Sequence, residues 1–309
     1  MLDIATAQIG IDGLSTGNVP LSGKYEGSTS LVIASKPVGV KCRPCCPCTF
    51  EGGLSEGPTL LISDGAGTLA APVVITRVKF VDGLTAASSG AGVHVTGAST
   101  ATFVDAKFTN NTIPHHASPH TGGGLHADGG STVTFVGCTF SGNLAPLGGA
   151  FSLGGGAMAT VTDCTFHSNA GSGGTGGGAI YLADTASTLA VYGGLFYSNV
   201  PGDLASPTAA QVTVSDKVSA LPDAASCEEC HPLNFTVGGV ENRASSSYIC
   251  GGGSCPNLSA GTGAAVVAAP GIPFALCCFF GGLLRRHSIM QKNKHARVIA
   301  ECAANPPTR

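Results

Sequence analysis

Four stretches of the chain carry nearly the same order of apolar and polar residues: TFVDAKFTNN ending at Asn111, TFVGCTFSGN at Asn143, TVTDCTFHSN at Asn169 and AVYGGLFYSN at Asn199. A weaker copy, VVITRVKFVDG, precedes them. The shared phenylalanines are Phe80, Phe108, Phe140, Phe166 and Phe196. Two places before each stand Val78, Ala106, Cys138, Cys164 and Gly194; five before stand Ile75, Phe103, Phe135, Val161 and Val191; seven before stand Val73, Ala101, Val133, Ala159 and Leu189. Side chains alternate between the faces of a strand, so this pattern predicts two short strands per copy, with a corner three to four residues before the phenylalanine. No window shows a sustained helical period.

The phenylalanines are spaced by 28, 32, 26 and 30 residues, so one unit recurs about every 29 residues. A unit this short cannot bury its apolar face alone, but stacking like positions of successive units buries it. The expected fold is therefore all-β: a parallel β-solenoid of about five to seven coils, roughly 24 to 34 Å long at ~4.8 Å per coil. Phe80, Phe108, Phe140, Phe166 and Phe196 form an expected inner column, and Asn111, Asn143, Asn169 and Asn199 a turn column whose amides can bond from coil to coil. A glycine signature sits between copies: Gly123-Gly124-Leu125, Gly148-Gly149-Ala150-Phe151 and Gly177-Gly178-Ala179-Ile180, with the looser Gly90-Ala91-Gly92-Val93 earlier.

The paired signatures, GGAF with FHSN, GGAI with FYSN and the close GGGL with FSGN, resemble the polymorphic outer membrane protein repeats, a right-handed parallel β-helix family of surface proteins. The resemblance covers roughly residues 70 to 215; VDG ending at Gly83 departs from it. It implies a secreted cell-surface passenger domain used in adhesion or as a structural coat, and brings no catalytic residues with it. In that family a membrane β-barrel follows the solenoid, whereas this chain continues differently.

Composition agrees with a turn-dense solenoid: 46 glycines, 11% charged residues and no tryptophan in 309 residues. The net charge of −3 carries no basic stripe, so no nucleic-acid partner is expected. Thirteen cysteines favour an oxidising compartment. The opening MLDIATAQIGIDGL has neither a basic stretch nor a long apolar run and does not read as an export signal. Residues 1–60 are expected to form irregular coils or a cap, and 61–220 the regular repeats. A Cys-rich stalk is expected at 221–259 and a transmembrane helix at 260–284, where AAVVAAPGIPFALCCFFGGLL is 21 residues long. The basic segment 285–309 then reads as a cytoplasmic tail, which places the N-terminal part outside the cell. Cys277 and Cys278 near the end of that span are acylation candidates.

Candidate chemistry is sparse. Cys42, Cys45, Cys46 and Cys48 suit disulfides or an irregular cap better than a zinc knuckle, which needs a second clean pair. Cys138 and Cys164 share a column in adjacent coils, close enough for a disulfide and equally suited to packing as free thiols. Cys227, Cys230, Cys250 and Cys255 suit disulfides in the stalk; Cys227-x-x-Cys230-His231 also matches a haem-attachment string, although no cofactor is expected. Asn110, Asn234 and Asn257 are glycosylation acceptors. His115, His116 and His120 cluster in a Pro-containing insertion and offer a metal-site alternative to a variable loop. His94 and His126 share a column with Ser152 and Tyr181, which does not read as a histidine ladder. Asp105 and Asp163 repeat at the corner two coils apart, ~10 Å, and give a weak alternative as a catalytic pair; aspartate is also a favoured turn residue. The leading expectation is a non-enzymatic surface module for adhesion, display or coat formation. Surface glycans or neighbour-cell proteins are its expected partners, and the alternative is a glycan-binding or glycan-cleaving β-helix.

Overall fold

The computed structural model describes residues 2–43, 48–115, 119–173, 177–208, 211–214, 218–220, 234–237 and 240–243. Cys45, Cys46, His116, Cys227, Cys230, Cys250 and Cys255, the expected membrane span at 260–284 and the tail at 285–309 lie outside them. Among the described residues no helix is long and apolar enough to cross a membrane.

Each repeat lays down three strand segments, and two coils add a short fourth, Leu144–Ala145 paired with Ala170–Gly171. One runs through the positions five and seven places before the phenylalanine, such as Thr100–Val104, and the next carries the phenylalanine itself, such as Lys107–Thr109. The third follows the glycine signature, as in Leu125–Ala127. The first two belong to a 15-stranded sheet, because Met158–His167 and Thr188–Tyr197 run unbroken through the corner between them. The third strands build a nine-stranded sheet, parallel except for a closing hairpin of Asn234–Val237 with Val240–Arg243.

Register is set by identity of side chains. Phe80, Phe108, Phe140, Phe166 and Phe196 pair directly, and the column continues back through Phe50 to Tyr25. Ring centroids lie 4.4 Å apart for Phe108 and Phe140, 4.9 Å for Phe140 and Phe166 and 4.6 Å for Phe166 and Phe196. Those separations follow the spacing of hydrogen-bonded strands, so the ladder fixes the ring geometry. A slip by one residue would turn every ring to solvent, and each buried ring is worth about 1.5–3 kcal/mol. Phe103 and Phe135 form a second stack edge-on to this one.

The asparagine column is a closed hydrogen-bond ladder. Asn111 Nδ2 donates to Asn143 Oδ1 (3.0 Å), Asn143 Nδ2 to Asn169 Oδ1 (2.9 Å) and Asn169 Nδ2 to Asn199 Oδ1 (3.0 Å). The same nitrogens donate to the carbonyls of Phe80, Phe108 and Phe140, and each Oδ1 also accepts a backbone N–H from the coil before. Every buried turn thereby satisfies polar groups that water cannot reach. At the N-terminal end Gly83 occupies the asparagine position and donates its N–H to Asn111 Oδ1.

The corner between the first two strands takes a left-handed backbone in five consecutive coils: Arg77, Asp105, Gly137, Asp163 and Gly193 all have φ between 51° and 76°. Glycine and aspartate tolerate that region. The doubled glycines answer a different constraint, close approach. A Cβ on Gly149 would lie 2.5 Å from the Ala170 carbonyl oxygen and 2.6 Å from that of Gly178.

Two expectations need correction. Residues 1–60, expected to form irregular coils or a cap, form coils that are regular: Gly17–Leu21 pairs with Val38–Cys42, Gly23–Gly27 with Cys48–Gly52 and Leu31–Ala34 with Leu60–Ser63, all parallel. The first coils lack the asparagine of the later ones, which hides them. The second correction is a helix, Ile4–Asp12, that burial of Ile4, Ala7 and Ile11 holds against the first coil. Gln8 uses its amide as a strand would, donating to Val32 O (3.0 Å) and accepting from Val32 N (2.7 Å), so the open sheet edge is covered.

Candidate functional site

Cys42 and Cys48, six residues apart in sequence, form a disulfide. Cys138 and Cys164 are adjacent in the inner column as expected but remain free thiols, the Cys138 N–H donating to Cys164 Sγ at 3.3 Å and the Cys138 thiol to the Phe103 carbonyl at 3.3 Å. Burial pushes the Cys138 thiol well above its ordinary pKa, with the Cys164 contact adding to the shift. The disulfide alternative for this pair is thus replaced by thiols packed as small apolar groups.

Asp105 and Asp163 lie at the left-handed corner with the whole coil of Gly137 between them. Each leans over the glycine that follows in its column, Gly137 or Gly193; a Cβ on Gly137 would meet Asp105 Oδ1 at 3.0 Å. Their placement serves the turn. Among the described residues of the histidine insertion, His115 and His120 gather no ligand set either. His115 Nδ1 contacts Ser172 Oγ at 3.2 Å, and His120 approaches a different histidine, His126, closely enough to disfavour its protonation.

The only group of three or more potential metal ligands with converging donor atoms among the described residues is His94, His126 and Asp128. The solenoid makes it by register. His94 pairs with His126 on the outward side of the nine-stranded sheet, and two residues further along each strand Thr96 lies beside Asp128, whose N–H donates to the Val95 carbonyl. An H-x-T in one coil over an H-x-D in the next therefore forms a square of side chains on one face. His94 Nε2 stands 3.3 Å from Asp128 Oδ1, and His126 Nε2 stands 3.3 Å from Asp128 Oδ2. The two imidazole centroids are 5.1 Å apart.

A second layer holds His126. The Ser152 hydroxyl, from the next coil in the same column, donates to Thr121 Oγ1 (2.9 Å) while its oxygen lies 2.7 Å from His126 Nδ1. Two hydroxyls thus meet His126 Nδ1, Ser152 Oγ at 2.7 Å and Thr121 Oγ1 at 3.4 Å, and in the tautomer that donates from Nδ1 the Nε2 lone pair is aimed at Asp128. Burial lowers the pKa of His126, and the neighbouring His94 adds to this, against the opposing pull of Asp128. At Asp128 burial opposes ionisation, yet the imidazoles of His126 and His94 and the Thr96 hydroxyl outweigh it and hold the carboxyl below the usual range. A neutral imidazole beside a carboxylate is the pairing that metal ligation requires. His94 and His126 were legible as a column; Asp128 was the missing signal, because it joins them only once coil-to-coil register is known.

The fold and these columns define an all-β parallel solenoid. Residues 48–218, more than half of the chain, match the family described as the right handed beta helix region, and the chain belongs to that family. No curated protein and no solved structure shows significant similarity to it.

Proposed function

We propose that the chain is a non-enzymatic surface module of the polymorphic outer membrane protein type, which binds glycans or proteins of neighbouring cells through its coil faces. In this reading the solenoid stands outside the cell and the apolar segment at 260–284 anchors it. The observation that carries the reading is the outward face of the 15-stranded sheet. There Val136, Met158 and Tyr192 are exposed on three consecutive coils, and the rings of His167 and Tyr197 stack at 4.9 Å. Thr102, Thr134 and Thr160, in register, form a column of hydroxyls between Met158 on one side and the line of Val136 and Tyr192 on the other. Exposed apolar side chains rimmed by polar ones mark interaction surfaces, and aromatic rings offer stacking planes to sugars.

The test presents the full-length protein to neutral and acidic polysaccharides, with and without calcium, and to cell surfaces, scoring bound ligand and new chain ends together. Binding without new chain ends is expected, weakened roughly tenfold by Tyr192→Ser. New chain ends that vanish in Asp163→Asn would make the protein a polysaccharide-cleaving enzyme and overturn the proposal.

A further inference from the structure

We infer that His94, His126 and Asp128 form a site for a divalent transition metal, zinc by the character of the ligands, that ties two consecutive coils together on the outward face of the nine-stranded sheet. The inference is independent of what the exposed face of the other sheet binds.

Three observations carry it. The first is geometric. Zinc takes imidazole nitrogen and carboxylate oxygen at about 2.0–2.2 Å, so the edge of its tetrahedron is about 3.3–3.5 Å long. Asp128 Oδ1 lies 3.3 Å from His94 Nε2 and Oδ2 lies 3.3 Å from His126 Nε2, so whichever oxygen binds makes one such edge, and one donor atom from each of the three residues lies within 4.8 Å of the others. The second is that two of these atoms lack a hydrogen-bond partner. His94 Nε2 and Asp128 Oδ1 are buried without a hydrogen bond, although they approach each other to 3.3 Å. His126 Nε2 faces Asp128 Oδ2 at 3.3 Å, and a hydroxyl, Ser152 Oγ, stands at the other ring nitrogen. A divalent cation held between the two imidazoles and the carboxylate would partner the nitrogen and the oxygen that are left without one. The third is the supporting shell. A ligating histidine characteristically donates its second ring nitrogen to an oxygen; Ser152 Oγ stands 2.7 Å from His126 Nδ1 for that purpose, and Ser152 is itself fixed by Thr121.

The site is reachable. The side chains of His94 and Asp128 keep 19% and 32% of their surface exposed, while that of His126 keeps 10%. Gly154, next after Asp128 in its column, has no side chain; a Cβ there would stand 3.8 Å from His126 Cε1, so its absence leaves room beside the ligands. Three protein ligands leave a fourth tetrahedral position for water or for an oxygen or nitrogen donor from outside. Imidazole and carboxylate together select zinc, cobalt or nickel over calcium and magnesium, which take oxygen.

The experiment uses the full chain with its accessible thiols alkylated, because cysteines elsewhere would also take zinc. Zinc and cobalt are titrated against wild type, His94→Gln, Asp128→Asn and Ser152→Ala, and imidazole nitrogen NMR of the wild type follows the same zinc titration. One equivalent is expected, with the visible bands of tetrahedral cobalt and no thiolate charge-transfer band. His94→Gln and Asp128→Asn lose that equivalent, while Ser152→Ala retains it with about 10–100-fold weaker affinity. In the NMR titration the Nε2 resonances of two histidines shift, and these resonances are absent in His94→Gln and His126→Gln respectively. Because the wild-type spectrum identifies the ligating nitrogens by itself, failure of a variant to fold leaves the inference open to refutation. Absence of binding by the wild type, unchanged binding in His94→Gln, or zinc-induced shifts confined to other histidines would overturn it.

Discussion

The inside of the coils and the outward face at His94 are built on opposite rules. Inside, the same residue recurs at each step: phenylalanine on phenylalanine from Phe50 to Phe196, and asparagine on asparagine from Asn111 to Asn199. Repetition suffices there because each rung only has to satisfy its neighbours. On the face, the column of His94 runs through His126, Ser152 and Tyr181, and no two of its contacts are alike. Convergence of unlike groups is what chemistry needs. In a solenoid, then, the residues that obey the repeat maintain the rod, and departures from it, read across coils, are where binding chemistry is to be sought.

Breaking a repeated rung should have the largest effect. Asn143→Ala removes the acceptor of the Asn111 N–H and Nδ2 and strips the Phe108 carbonyl of its donor, all in buried surroundings. With each orphaned group costing about 1–3 kcal/mol, a loss of about 3–5 kcal/mol is expected in denaturant unfolding. Phe140→Ala, which opens a hole between Phe108 and Phe166, is expected to cost a similar 3–5 kcal/mol or so. If either change is nearly neutral, the ladders do not bear the stability ascribed to them.

A smaller, pH-dependent effect belongs to the unlike column. His126 has a lowered pKa in the folded state, so the unfolded chain binds more protons below about pH 6.5 and metal-free stability falls as pH drops through that value. His126→Gln should flatten that decline, measured as unfolding free energy between pH 5 and 8 or so. Asp128, whose folded pKa is also lowered, adds a loss that begins only near its unfolded value of about 4. The smallest effect is expected at the corner. Asp105→Asn keeps a residue that accepts the left-handed backbone and should change stability by less than about 1 kcal/mol, whereas Asp105→Val, β-branched, should cost roughly 1–2 kcal/mol or more. Equal costs for the two would show that the corner selects aspartate for something other than its backbone.

The repeat was legible in the sequence because the solenoid writes its core as a period: the positions at Phe108, Phe103 and Ala101 recur in each copy and pair in register as read. The first coils were hidden because Gly83 stands where later coils carry asparagine, and Gly53 holds the corresponding place one coil earlier. The helix Ile4–Asp12 was missed for a different reason. Its three buried residues, Ile4, Ala7 and Ile11, give too short an apolar stripe to register as a period. Proximity in sequence misled at the histidine insertion, where His115 turns to Ser172, a residue 57 positions away. Proximity in space came instead from residues 32 apart, His94 and His126, and depended on Asp128 being two residues on, on the same face. Sequence spacing within one strand cannot reveal such a site until the length of each coil is known.

The most direct test of this division is one set of melting curves, with and without zinc, for wild type, Asn143→Ala and His94→Gln. Asn143→Ala should melt far below wild type in both conditions while keeping its upward shift with zinc; His94→Gln should melt close to wild type without zinc and lose the shift. A zinc shift that survives in His94→Gln, or an Asn143→Ala protein that melts with wild type, would contradict the account.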